Sequence, residues 1–271
     1  GTLPRKYIHA LWVTYRLGGM DDALLNKSLV HDSPLVRLHS LRILREWKPG
    51  DASFQSMVAR SLNDPDAHVQ RAAAELLSSY PEISSVESAL QILRAAPAED
   101  THLRYTARLN LRNLLRVESL MKTVAAKEWN EQDAGHIAGT LVDVHSADAA
   151  LFLSNHLARY AFPKEKIQLA YQQIMRFLPA SKLDEVIRSA GAKQAEADLA
   201  ARIFRGVKDG LAQRGGDAKT GLMQSWGTEI AKGLIQRYPA DSISRSLAPQ
   251  QLFAIQLAGE YKIRPLQPEL V

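Results

Sequence analysis

Four stretches in the first 116 residues superimpose on one another without internal gaps. They are Tyr7-Ile8-His9-Ala10-Leu11, Arg37-Leu38-His39-Ser40-Leu41, Gln70-Arg71-Ala72-Ala73-Ala74 and, more weakly, Arg104-Tyr105-Thr106-Ala107-Arg108. The equivalent positions His9, His39, Ala72 and Thr106 are separated by 30, 33 and 34 residues. Self-similarity at this period marks an array of supersecondary units, each too small to bury its apolar face alone and therefore stacked on its neighbours. Such an array offers extended surfaces, so the chain is expected to act by binding.

Within each period the apolar residues fall three and four apart, the helical spacing. Leu24, Leu25 and Leu29 form one apolar face, closed by His31-Asp32-Ser33-Pro34. Val36, Leu38, Leu41, Ile43 and Leu44 form the next, ended by Lys48-Pro49-Gly50. Phe54, Met57, Val58 and Leu62 lead to Asn63-Asp64-Pro65-Asp66, and Val69, Ala72, Ala73, Leu76 and Leu77 lead to Tyr80-Pro81. The Asp-Ser-Pro and Asp-Pro-Asp turns supply capping side chains and a proline near the first helical turn, where its missing N–H costs nothing. Alternating β-branched runs are absent, which argues against strands.

The segments Asp32-Ser33-Pro34…Val36-Arg37…Ser40-Leu41 and Asn63-Asp64-Pro65…Val69…Arg71-Ala72-Ala73-Ala74 resemble HEAT-type repeats. They match that family's aspartate–proline turn, valine–arginine step and small-residue helix, although Gln70 stands where arginine is usual and Arg71 follows one step later. The resemblance implies an all-α fold, a right-handed α-solenoid of HEAT-like helical hairpins. A narrower likeness is carried by His9-Ala10-Leu11-Trp12, by Asp100 through Arg108 and by Ile255 through Lys262. Those segments look like the HEAT-repeat part of large exported bacterial proteins that also carry a sugar-dehydrogenase-like propeller and a cytochrome-c-type haem domain. That likeness implies export or a periplasmic location, and an accessory role positioning redox or carbohydrate-acting domains. The chain has no Cys-x-x-Cys-His, so any haem domain would lie elsewhere.

The expected organisation is HEAT-like repeats over residues 1–116 and divergent helical hairpins over 117–271 continuing the solenoid. In the second part, helices fit 133–142, 147–160, 164–177, 182–190, 194–214, 220–237 and 249–261. Their breaks are Ala161-Phe162-Pro163, Leu178-Pro179-Ala180, Arg214-Gly215-Gly216 and Tyr238-Pro239-Ala240, and Gly215-Gly216-Asp217 reads as a turn between helices. The opening directly in a helical pattern at Arg5–Leu17, and the end at Gln267-Pro268-Glu269-Leu270-Val271, suggest a piece of a longer protein.

Composition narrows the function. With no cysteine, disulfides, thiolate metal sites and cysteine nucleophiles are excluded. The formal charge is +5, but 15 of the 34 basic residues and 12 of the 29 acidic ones precede residue 117. With charge so evenly spread and no basic arm, the composition argues against a nucleic-acid partner. No apolar run approaches the roughly 18 residues of a membrane span. The eight histidines include no His-x-x-x-His pair, and His31, His68 and His102 read as turn and cap residues. No Gly-x-Ser-x-Gly elbow and no phosphate-loop signature occurs. No cofactor or metal is expected.

The candidate ligand-facing surface is a set of arginines. Arg104, Arg108, Arg112 and Arg116 recur every four residues on one helix, a stripe that drifts by about 40° per step. Arg37, Arg42, Arg45 and Arg71 extend it onto earlier second helices, giving Arg37, Arg42, Arg71, Arg104, Arg108 and Arg112 as candidate contacts. The same stripe also fits an ordinary solvated face. The sequence thus favours a non-catalytic protein-interaction or spacer scaffold within a larger bacterial protein. The alternatives are a nucleic-acid-binding HEAT-like protein of the DNA-base-processing type and the accessory domain described above.

Overall fold

In the computed structural model, which describes residues 2–192, 196–216, 221–237 and 249–263, helix follows helix and no strand occurs among the described residues. The first nine are α1 (Thr2–Arg16), α2 (Asp22–Leu29), α3 (Pro34–Trp47), α4 (Gln55–Ser61), α5 (Ala67–Ala74), α6 (Ile83–Ala95), α7 (Thr101–Leu115), α8 (Glu118–Ala126) and α9 (Glu131–Leu141). Then come α10 (Ala147–Arg159), α11 (Ile167–Phe177), α12 (Leu183–Ala192), α13 (Ala197–Gln213), α14 (Leu222–Arg237) and α15 (Pro249–Glu260). The fold is all-α and HEAT-like. The expected starts at Gln194 and Thr220, Asp217, the break at Tyr238-Pro239-Ala240 and the terminal Gln267–Val271 lie outside the described residues.

Local chemistry explains where these helices begin. Asp21 accepts the Leu24 N–H at 2.7 Å, Asp66 accepts those of His68 and Val69, and Asp100 accepts that of Leu103 at 3.0 Å. Pro34 occupies the first turn of α3. Ser33, however, makes no capping bond there. The helices α6 and α8 carry no marked repeat signature, yet both form, because each packs on the α7 between them.

The chain divides by its contacts into two units, residues 1–140 and 141–271. In the first of them α8 packs back on α6 and α7. In the first unit α1, α3, α5 and α7 contact one another in series, while α2, α4 and α6 each pack on the helix that follows. The second helices of the hairpins therefore form one continuous layer. Its core includes Leu11, Leu25, Leu41, Leu44, Phe54, Val69 and Leu76. Ala72, Ala73 and Ala74 are buried as well, small side chains that let α5 lie close to its neighbours.

The second unit is built around the pair α11 and α13, its most extensive helix contact. A Cβ on Gly206 would lie 2.2 Å from the Gln168 carbonyl oxygen, and one on Gly210 would lie 2.5 Å from that of Gln172. Two glycines one helical turn apart thus let backbone meet backbone. Phe204, fully buried on the same helix, gathers the rings of Trp226, Phe253 and Tyr261 at 5.0, 6.4 and 6.2 Å.

Candidate functional site

The arginines of the first unit separate into two groups according to what their guanidinium groups touch. Arg37 reaches across to the turn before α5, donating from Nε and Nη2 to the two Asp64 oxygens at 2.7 and 2.8 Å. Its Nη1 donates to the carbonyls of His31 and Asp32 at 2.7 and 3.0 Å, closing its own turn. Asp64 also accepts the Asp66 N–H at 2.9 Å. Burial pushes the Asp64 carboxyl up, but Arg37 and that N–H outweigh it and hold it below the usual range. The Asp64 bond in turn raises Arg37, against the effect of burial. This is a bidentate, charge-assisted contact between successive repeats.

One repeat on, the two tasks are divided between neighbours. Gln70, at the position equivalent to Arg37, donates to the Asp64 carbonyl at 2.7 Å and so closes the turn. Arg71 makes the inter-repeat contact, to Asp100 at 3.3 Å. Arg104, next in register, donates to the Leu93 and Ala96 carbonyls at 3.1 and 2.9 Å, capping the end of α6. Arg37, Arg71 and Arg104 thus each bond to a neighbouring turn or helix, although the buried Nε of Arg71 has no partner among the described residues. Sequence spacing could not reveal this, because a guanidinium on a long stem reaches either outwards or into the adjoining turn.

Arg42, Arg108 and Arg112 are different. None has a hydrogen-bond or ion-pair partner among the described residues. Arg42 and Arg108 are exposed, and Arg112 is half-buried with its Nε shielded and unpaired. Beside them Tyr105 is 66% exposed, three residues before Arg108 and seven before Arg112 on α7. The neighbouring arginines Arg16 and Arg45 are instead neutralised by Glu46 and Glu75 of the following repeat.

Sequence reasoning missed His136 on α9. Arg94 pairs with Asp133, which also accepts a bond from Asn130 at 2.8 Å. The His136 imidazole lies within the field of Arg104, Arg108 and Arg94 as well as Asp133. Burial pushes its pKa down, and the three arginines push the same way against the single carboxylate. Its Nε2 is buried and has no hydrogen-bond partner among the described residues. A second imidazole, His39, accepts a bond from Trp12 Nε1 at 3.1 Å. It too is lowered, first by burial and then by Arg42 and His9. Two imidazoles whose pKa values are lowered therefore lie beside the arginines of α3 and α7. No group of three His, Asp or Glu side chains is placed to hold a metal ion among the described residues.

A family model of HEAT repeats matches residues 22–112. The match runs from α2 into α7, covering Arg37, Arg71 and their aspartates and stopping before α8. No characterised protein shows significant sequence similarity to the chain. The match describes a helical scaffold, and nothing in the comparisons supports the narrower likeness to exported proteins with propeller and haem domains.

Proposed function

We propose that this chain is a non-catalytic scaffold whose second-helix layer in the first unit binds an acidic stretch of a partner protein or neighbouring domain. The observation that carries this reading is the partition of the arginines. Arg37 and Arg71 are paired with aspartates of the array and Arg104 bonds to its carbonyls, whereas Arg42, Arg108 and Arg112 carry charge that no described carboxylate neutralises. An exposed tyrosine among arginines is a composition enriched at interaction surfaces. Neighbouring packed helices are about 8–10 Å apart, so the path from α3 across α5 to α7 spans roughly 20 Å. About six residues of extended chain cover that distance. A spacer role beside redox or carbohydrate-acting domains would rest on the narrower likeness and is not part of the proposal.

The test is a fluorescence-anisotropy titration with a labelled octaglutamate peptide at low and physiological salt. Binding should weaken as salt rises, and about tenfold in an Arg108→Ala/Arg112→Ala variant. Absence of binding at low salt, or equal binding by the variant, rejects the reading. Duplex and single-stranded oligonucleotides serve as the contrasting probes. Specific readers of DNA bind at about 10⁻⁸–10⁻¹¹ M at physiological salt. Submicromolar oligonucleotide binding that is lost in the same variant would replace the protein partner with nucleic acid.

A further inference from the structure

The second unit contains a cleft that the inner-layer reading does not use. It lies where the end of α10 and the following segment meet the start of α11 and of α13, with a volume of 630 Å³. Ligand sites ordinarily occupy about 300–1,000 Å³ and are apolar, with a few placed polar groups. Here the walls are Leu157, Phe162, Ile167, Leu199 and Ile203. Leu157, Ile167 and Ile203 are buried, while Phe162 and Leu199 are half-buried at the margin. Tyr160 and Phe162 form an aromatic side, braced from behind by the His156 ring at 5.2 and 6.1 Å.

One buried polar group faces this apolar space. Tyr171 lines the cleft and is only 3% exposed, what little exposure it has being towards that space. Burial pushes its pKa up to about 12, so the group keeps its proton and acts as a donor at any ordinary pH. The charged groups at the mouth do not select an ion: Lys164 is paired with Glu196 at 2.8 Å.

The comparable cleft in the first unit, 590 Å³ between α4 and α6, lacks this character. Its lining includes Asn63, Gln70, Gln91 and Asp100, and Gln70 and Asp100 are already engaged in turn closure and the inter-repeat contact. Of these two clefts, the second is the one that combines size, apolar walls and a hydroxyl donor on its lining.

We infer that the cleft between α10, α11 and α13 binds a neutral, largely apolar small molecule carrying one hydrogen-bond acceptor, with Tyr171 donating to that acceptor. The apolar body takes the place of water against Leu157, Ile167 and Ile203, and the acceptor takes the hydrogen bond that the Tyr171 hydroxyl offers into the cleft. This site is independent of the inner-layer arginines, and either proposal can fail without the other.

The experiment uses two probes on the whole chain: Nile red, a neutral polycycle with a carbonyl acceptor, and pyrene, a hydrocarbon with none. Fluorescence titration should show one saturable site for Nile red. Tyr171→Phe should weaken Nile red about five- to tenfold and leave pyrene unchanged, the loss of one hydrogen bond to the ligand. Ile203→Trp should abolish binding of both by filling the cleft. Leu199→Trp, at the half-buried margin, serves if the buried variant fails to fold by circular dichroism. Nile red binding unaffected by the filling variant places the dye elsewhere and overturns the site. Equal weakening of both probes in Tyr171→Phe, or no weakening of either, overturns the role of the hydroxyl. An Arg108→Ala/Arg112→Ala variant should bind both probes as the parent does, and loss there would also overturn the assignment.

Discussion

Arg37 and Asp64 have side chains 15% and 9% exposed, whereas those of Arg16 and Glu46 are 63% and 40% exposed. That difference decides what each pair is worth. Removing one partner of a buried pair leaves an uncompensated charge and costs about 3–5 kcal/mol. An exposed pair is screened by solvent and contributes about 0–1 kcal/mol. Asp64→Ala should therefore lower the urea midpoint of the first unit markedly, while Glu46→Ala should barely move it. Ala73, 0% exposed in the layer between α3 and α7, has no room for a larger side chain. Ala73→Leu should cost about 1–3 kcal/mol by overpacking, read as a lower unfolding midpoint. His39 and His136 supply a pH dependence. Both are lowered in the fold, so the unfolded chain takes up protons first as pH falls below about 6.5. Stability should be full above that value and decline towards pH 5, with a shallower decline in His136→Gln. The helix-start role of Asp66 was legible in the sequence, because capping depends on immediate neighbours. The role of Arg71 was not, since its partner is 29 residues away and only stacking brings the two together.

Among the elements, α13 shows most clearly how tertiary contact overrides local preference. A glycine in a helix interior is worse than alanine by about 0.5–1 kcal/mol. Gly206 and Gly210 nonetheless sit in α13, because the α11 backbone occupies the space a Cβ would need. Gly210→Ala should thus destabilise, against helix propensity, with a fall in the second unit's melting temperature. Gly135 in α9 has no atom within 4 Å of a hypothetical Cβ, so Gly135→Ala should follow propensity and stabilise by about 0.5–1 kcal/mol. Opposite signs for one chemical change would confirm that packing sets the outcome. Equal signs would mean that α11 moves aside. Most helices of the second unit were legible from their three- and four-residue spacing. The closeness of α11 and α13 was not, because a glycine pair reads equally well as a weak point or as a contact.

At the scale of the whole molecule the chain is two contact-defined units, and no described helix is long and apolar enough to cross a membrane. The first unit holds its own apolar cluster, from Ile8 through Tyr80, and its contacts link neighbours in the chain. Arrays of this kind draw their stability from each repeat and from the interface with the next. Residues 1–140 expressed alone should therefore give a helical circular-dichroism spectrum and a cooperative melt. A featureless melt would show that the first unit cannot stand by itself.

By itself the sequence determined the helical class, the period, the turn chemistry and the burial of the alanine run. Those follow from local preference and from the spacing of apolar side chains, which repeat with the helix. Tertiary structure decided the rest: which arginines turn inwards, that Gln70 and Arg71 share one repeat's task, where the two units divide, and that Tyr171 faces an apolar cleft. Each of these depends on the direction of a side chain relative to a partner some 30 residues away, and a linear pattern does not encode direction across that gap.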